Sequence, residues 1–349
     1  MSSMQRSTVQ SFTTDVAIIG AGPVGLFTVF ELGMLKISAH VIDTLPSLGG
    51  QCTALYPEKP IYDIPGFPSI DAQDLIANLE AQAAPFSPTY HLGQQVMRCE
   101  KNAAGLFELE TSAGTHITCK AVVIAAGCGA FGPNRPPLAD IEAYEHRHVH
   151  YMVSKKEQFR DAEIVIAGGG DSAVDWANAL APIAQKTYVV HRRDKFRAMP
   201  ESVAQMQSLV AAGKIEMVVP YQLEALEGDG TTLTGVTVST LDGQKRSLSA
   251  QHLLAFFGLS MELGPIAEWG LGLDKTHIAV EVGTSQTTVP GIFAVGDIAT
   301  YPHKLKLILC GFSEAAQAAH AIREIVYPGQ AYHFEYSTSK GVPAGEKAA

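Results

Sequence analysis

Residues 15–43 read DVAIIGAGPVGLFTVFELGMLKISAHVID. A short β-type run, residues 16–19, enters Gly20-Ala21-Gly22-Pro23-Val24-Gly25, a G-x-G-x-x-G, and an apolar helical segment follows before a second strand, AHVI, that ends in Asp43. Each part has a physical task. Gly20 permits the tight turn, Gly22 lets a pyrophosphate approach the backbone, and Gly25 lets helix and strand pack closely. Pro23 is read with these glycines as part of the same site. The helix N-terminus presents free N–H groups and the positive end of a dipole to phosphate. Asp43 can accept hydrogen bonds from the two ribose hydroxyls. A glycine-rich turn alone is weak evidence; strand, turn, helix, strand and acid together predict a dinucleotide-binding βαβ unit.

The pattern returns at residues 163–198, EIVIAGGGDSAVDWANALAPIAQKTYVVHRRDKFRA. Gly168-Gly169-Gly170-Asp171-Ser172-Ala173 is a G-x-G-x-x-A between a β-type run and a helical one. Its second strand, TYVV, ends in His191-Arg192-Arg193, with Arg197 close behind. The chain of 349 residues has a formal net charge of −10, so this cluster of positive charge needs a reason. A basic run can serve nucleic acid, a membrane surface or a single phosphate. The position settles the reading: where an acid would grip a free 2′-hydroxyl, guanidinium groups grip a 2′-phosphate, which separates NADP from NAD. A solvated charge run is the plain alternative. The first site is read as FAD and the second as NADP(H).

Length and composition agree with two soluble domains. An acidic balance opposes nonspecific nucleic-acid binding. The most apolar stretch, residues 16–30, is interrupted by Gly20, Gly22, Pro23 and Gly25 and is shorter than the roughly 20 residues of a membrane span. The first residues, MSSMQRSTVQSFTTD, show no signal core. Five cysteines, Cys52, Cys99, Cys119, Cys128 and Cys310, form no C-x-x-C pair, which points to neither zinc nor a redox dithiol and fits a reducing cytoplasm.

After each turn comes a similar run of short strands and turns, residues 94–127 and 215–258. The fold class expected is α/β: two Rossmann-like, three-layer dinucleotide-binding domains, each with an inserted β-meander. Residues 1–126 and 291–349 are assigned to a discontinuous FAD-binding domain and 127–290 to the NADP(H)-binding domain. Near the end, VPGIFAVGDIAT (289–300) precedes an alanine-rich helical stretch, and Asp297 is placed to hydrogen-bond the ribityl chain of FAD.

These motifs, with LGGQC (48–52) and VVIAAG (122–127), resemble the flavoproteins of the thioredoxin-reductase type from Asp15 to the C-terminus. Thioredoxin reductases carry a C-x-x-C just before the second turn; here HVHYMVSKKEQFRDAEIVIAGGG has no cysteine. Residues 49–79, beginning GGQCTALYPEK, and the tail HFEYSTSKG are instead similar to the ferredoxin/flavodoxin–NADP reductases of that fold. The resemblance implies further FAD contacts at Gln51, Gly127, Tyr56 on one flavin face, and Tyr336, Ser337 and Thr338 from the partner of a homodimer. Tyr56 is otherwise an ordinary packed tyrosine. It also implies hydride exchange with NADP(H) and single-electron exchange with ferredoxin or flavodoxin, with the flavin and no side-chain catalyst performing the chemistry. An acidic acceptor would favour nearby basic residues, for which Lys304 and Lys306 stand.

Glycine- or proline-containing crossings at 126–134 and 282–291 are expected to act as hinges. Cys52 reads as a buried, inert thiol, and the alternating histidines of EHRHVHY (145–151) are not assigned a metal. Two other functions remain: an NADPH-dependent flavoprotein reductase of another acceptor, a disulfide carrier or quinone, and an NADP(H)-sensing flavoprotein without turnover.

Overall fold

The computed structural model describes residues 10–330, with backbone only at Ala130 and Phe131. Tyr336, Ser337 and Thr338 lie outside the described residues. The chain divides into two compact bodies. One takes the described residues up to Ala54, Pro60–Ala130 and those from Met261 on; the other takes Leu55–Lys59 and Phe131–Ser260.

In the first body a parallel sheet runs Ile292–Ala294, Ala121–Ile124, Val16–Ile19, Ala39–Asp43, Thr89–Leu92. Alternation along its central strands makes three layers. Val16 and Ile18 face one core, with Val29 and Leu32 of the helix Pro23–Met34 and Ala318 and Ile322 of the helix Ile308–Val326. Ala17 and Ile19 face the other, with Phe107, Leu109 and Ile117 of the antiparallel meander. The strand Gln10–Thr13 joins that meander, parallel to Thr115–Cys119.

The second body repeats the plan. Its parallel sheet runs Val149–His150, His252–Ala255, Glu163–Ala167, Lys186–Val190, Ile215–Val218. Ile164 and Ile166 pack with the helix Asp171–Leu180 and Met206 of the helix Pro200–Ala211. Val165 and Ala167 pack with Val236, Val238 and Leu248 of the second meander. Two Rossmann-like layers with a meander on one face are therefore present twice.

The boundaries differ from the sequence assignment. Residues 261–290 belong to the first body, because Leu263, Ile266, Leu271 and Ile278 complete its meander-side core, and His277–Ala279 pairs with Ala299–Thr300. The chain crosses between the bodies in the strands Ala130–Pro133 and Leu259–Glu262, which pair with each other. The expected crossing at 282–291 lies within the first body, where Ser285 and Thr287 are buried.

In the second body His150 Nε2 lies 3.0 Å from His252 Nδ1, and His148 Nδ1 lies 2.9 Å from the Gln251 carbonyl. Two of the alternating histidines thus use a ring nitrogen, His150 on His252 and His148 on backbone. Among the described residues no three His, Cys, Asp or Glu side chains are placed to hold a metal ion. Burial, reinforced by His252 and His148, lowers His150 from 6.5 to about 4. Between those values the unfolded chain takes a proton that the folded one refuses, so the stability present above pH 6.5 is lost as pH falls toward 4. Thermal melts across this window should show His150→Asn losing less stability than wild type, by on the order of 1 kcal/mol after solvent screening. Equal slopes would contradict this account of His150.

Candidate dinucleotide-binding sites

The first turn is closed by backbone. Gly20 N–H donates to the Ile42 carbonyl at 2.8 Å, and Gly20 adopts φ +112°. A Cβ on Gly20 would lie 2.3 Å from the Ala125 oxygen, and one on Gly25 would lie 1.9 Å from the Gly20 oxygen. These glycines let the helix touch the strand. Gly22 differs: no atom lies within 4 Å of its ideal Cβ position. The helix Pro23–Met34 begins there without a side-chain cap, so no capping side chain takes its first N–H groups. That uncapped end and the open face of Gly22 fit the pyrophosphate of a dinucleotide.

Asp43, at the end of the second strand, also stiffens the turn. Its Oδ2 accepts from Ala21 N–H at 2.6 Å and its Oδ1 from Leu45 N–H at 2.8 Å. Burial pushes its carboxyl above the ordinary carboxylate value, against the pull of those amides. A carboxylate can accept further hydrogen bonds from a ribose while keeping both. Gln51 opens the short helix Gln51–Ala54, and its Nε2 lies 3.3 Å from the ideal Cβ position of Gly127, which has φ +58°. Asp297 sits in the 3₁₀ turn Gly296–Ile298. Burial raises its carboxyl, Lys306 and Lys304 oppose that, and Glu314 adds to it. The first body thus brings Gly20, Gly22, Pro23, Gly25 and Asp43 into one turn.

Tyr56, which the resemblance places on a flavin face, lies in the segment Leu55–Lys59. It belongs to the second body and packs against the core containing Trp176 and Phe159. Its neighbours anchor the segment: Lys59 Nζ pairs with Asp175 at 2.8 Å, and Glu58 accepts from Lys156 N–H at 2.8 Å. Apolar packing and this ion pair explain why residues 55–59 leave the body that contains the residues on either side.

The second turn uses its glycines for other contacts. Gly168, at φ +155°, would place a Cβ 2.6 Å from the Phe256 oxygen and 3.0 Å from Ala173 Cβ. Ala173 is buried, so this residue serves close packing. A Cβ on Gly169 would fall 2.2 Å from the His191 ring, a requirement the G-x-G-x-x-A pattern does not express. Gly170 leaves room, with its nearest neighbour at 3.9 Å, and the helix Asp171–Leu180 starts there without a side-chain cap. Ser172 is exposed at that start. Asp171 accepts from Met199 N–H at 3.0 Å, while Arg197 N–H donates to the Gly169 carbonyl at 2.7 Å. These two bonds draw the chain beyond the second strand back over the turn.

Arg192, Arg193 and Arg197 are exposed, and no ion pair involves them among the described residues. Burial, then the three arginines, lowers His191 below its ordinary 6.5. It is neutral at pH 7, and the cationic charge of the cluster is the arginines'.

Some contacts beside the first turn are not those the sequence suggests. Lys304, expected on a docking surface, is instead buried in an ion pair with Glu314, because the loop folds its side chain under the helix Ile308–Val326. Lys306 is exposed and contacts His277. Gly311 lets that helix press on the first site: a Cβ there would meet Val24 Cγ2 at 2.4 Å. The one visible signal was the Gly311–Glu314 spacing, one helical turn on one face.

Residues 14–324 match the family model described as pyridine nucleotide-disulphide oxidoreductase. A relative from Paramagnetospirillum magneticum, named ferredoxin–NADP reductase, is 57% identical over 95% of this chain and 98% of its own length. A relative of the same name from Granulibacter bethesdensis is 61% identical over 95% and 94%. Among solved structures, Lactococcus lactis thioredoxin reductase aligns at TM-score 0.77 and 24% identity, over 90% of this chain and 99% of that one. The T. acidophilum thioredoxin reductase gives TM-score 0.78 at 22% identity, over 89% and 98%; these two likenesses concern the fold. With its two uncapped glycine turns on two parallel sheets, the chain belongs to the pyridine nucleotide-disulphide oxidoreductase family.

Proposed function

We propose that this chain is a ferredoxin–NADP reductase that holds FAD in the first body and NADP(H) in the second. The observation that carries the reading is that relatives 54–61% identical, matched over 94–96% of this chain, bear that name. The cysteines support it against a disulfide acceptor. Cys52, Cys99 and Cys119 are buried, and burial pushes the Cys99 and Cys119 thiols up to about 12. No two cysteines are spaced as C-x-x-C.

When bound, FAD supplies the exchange between one hydride and two single electrons. The chain's own residues bind and orient. Gly22 and the helix end at Pro23 receive the FAD pyrophosphate, Asp43 the ribose and Asp297 the ribityl hydroxyls. Gly168, Gly170 and the helix end at Asp171 receive the NADP pyrophosphate, with Ser172 beside it. Arg192, Arg193 and Arg197 hold the 2′-phosphate. Gln51 and Gly127 complete the FAD site, and Tyr336, Ser337 and Thr338 would complete it in a homodimer, as the resemblance implies. A cytoplasmic location fits these redox partners, and among the described residues no helix is long and apolar enough to cross a membrane.

The test is acceptor choice. With NADPH, the FAD-loaded protein should reduce ferredoxin, read through cytochrome c, at least about tenfold faster than it reduces thioredoxin coupled to a disulfide dye. Faster disulfide reduction would overturn the assignment of the acceptor.

A further inference from the structure

The helix Ile308–Val326 carries a buried carboxylate that has no part in binding phosphate or ribose. Glu314 is 3% exposed, and the Lys304 side chain beside it is 5% exposed. Glu314 Oε1 takes the Lys304 ammonium and accepts from Tyr301 O–H at 2.7 Å. Its Oε2 accepts from Gly296 N–H at 2.8 Å. Both oxygens are therefore committed, one to a cation and a phenol, the other to the backbone of the turn that bears Asp297.

A buried ion pair is a poor device for stability, since apolar side chains of the same volume commonly do as well. Its position supplies a better reason. Gly296, at φ +76°, is the residue before Asp297, and among the described residues it is the one whose backbone N–H Glu314 holds. Gly311, one helical turn before Glu314, brings the helix so close that its ideal Cβ position is 3.2 Å from Gly296 Cα. The charged groups acting on Asp297 are Lys306, Lys304, His277 and Glu314, and Asp297 in turn acts on Cys128. The Lys304–Glu314 pair adds no net charge to this set. Either member alone would add one.

We propose that Glu314 and Lys304 are positioning residues for the flavin: the carboxylate fixes the Gly296 amide and hence the direction in which Asp297 is offered, and the ammonium keeps the neighbourhood of the flavin neutral. The inference rests on the FAD site proposed above. It goes beyond the glycine turn and the Asp43 contact, because neither Glu314 nor Lys304 needs to touch the flavin.

Opposite charge changes make the test specific. Glu314→Gln leaves a buried cation, which should raise the flavin midpoint potential, and it should weaken FAD binding by roughly tenfold. Lys304→Met leaves a buried carboxylate. The potential should fall, or acquire a pH-dependent step absent from wild type as that carboxylate takes up a proton. The double variant should return toward the wild-type potential. Potentials would be read by dye equilibration and affinity by quenching of FAD fluorescence on adding apoprotein. If Glu314→Gln does not accumulate as folded protein, the sign of the Lys304→Met shift decides. Single variants that bind FAD and move the potential in the same direction, or not at all, would overturn the inference while leaving the flavin site intact. A wild-type chain that takes up no FAD would overturn the flavin site itself, and the inference with it.

Discussion

Replacing Arg192 and Arg193 together by alanine raises the KM for NADPH by about a hundredfold or more and leaves the KM for NADH within about threefold. The magnitude follows from two charge-assisted contacts, each contributing about 1.5–3 kcal/mol, with a tenfold change for every 1.4 kcal/mol. Both arginines are exposed and outside the core, and no ion pair among the described residues depends on them, so their loss should leave folding unchanged. His191 should not compensate. Its ring is lodged against Gly169 and Phe196, and it is neutral at pH 7. Steady-state kinetics with both nucleotides checks this directly. Equal losses for NADPH and NADH would mean that the cluster does not read the 2′-phosphate.

The two alanine variants of the first turn should separate binding from folding. Gly22→Ala places a methyl group where no protein atom lies within 4 Å, on backbone at φ −71° that any residue adopts. The apoprotein should melt near the wild-type temperature, yet FAD should bind at least about a hundredfold more weakly, because the methyl group occupies the approach of the pyrophosphate. Gly25→Ala is another matter. Its methyl group would lie 1.9 Å from the Gly20 oxygen, so helix and strand must separate. Overpacking of this kind costs about 1–3 kcal/mol or more, and both stability and FAD retention should fall. Calorimetry of the apoproteins with FAD titration distinguishes the cases. A destabilised Gly22→Ala, or a Gly25→Ala that melts like wild type, would contradict the geometry.

Much of this was legible before the fold was seen, because it is local. A strand entering a glycine turn and a helix is written in consecutive residues, and so is the contrast between Asp43 and His191-Arg192-Arg193 at the ends of the two second strands. The two cores were not legible: Val16 to Ile19 is apolar throughout, and only the fold places Val16 and Ile18 in one core and Ala17 and Ile19 in the other. What escaped was non-local. Residues 261–290 read as part of the second domain because the return strand VPGIFAVGD was the stronger signal; Leu263, Ile266 and Ile278 belong to the first core through tertiary packing. That residues 55–59 join the second body was not legible either, since the segment is held there by Lys59 and Asp175, which are distant in sequence. Lys304 looked like a solvated lysine. Nothing in YPHKLKLI tells which of two lysines turns inward to Glu314. Gly169 passed as a filler position because its constraint comes from a ring 22 residues later, His191.

The most direct measurement is an anaerobic single turnover of the FAD-loaded protein, followed in the flavin absorption band. NADPH should bleach the band, an equal concentration of NADH should bleach it far more slowly, and oxidised ferredoxin should then restore it, with about two ferredoxins reduced per flavin. A band that NADPH bleaches but ferredoxin does not restore would contradict the proposed acceptor, and a band that NADPH leaves unchanged would contradict the two-nucleotide account itself.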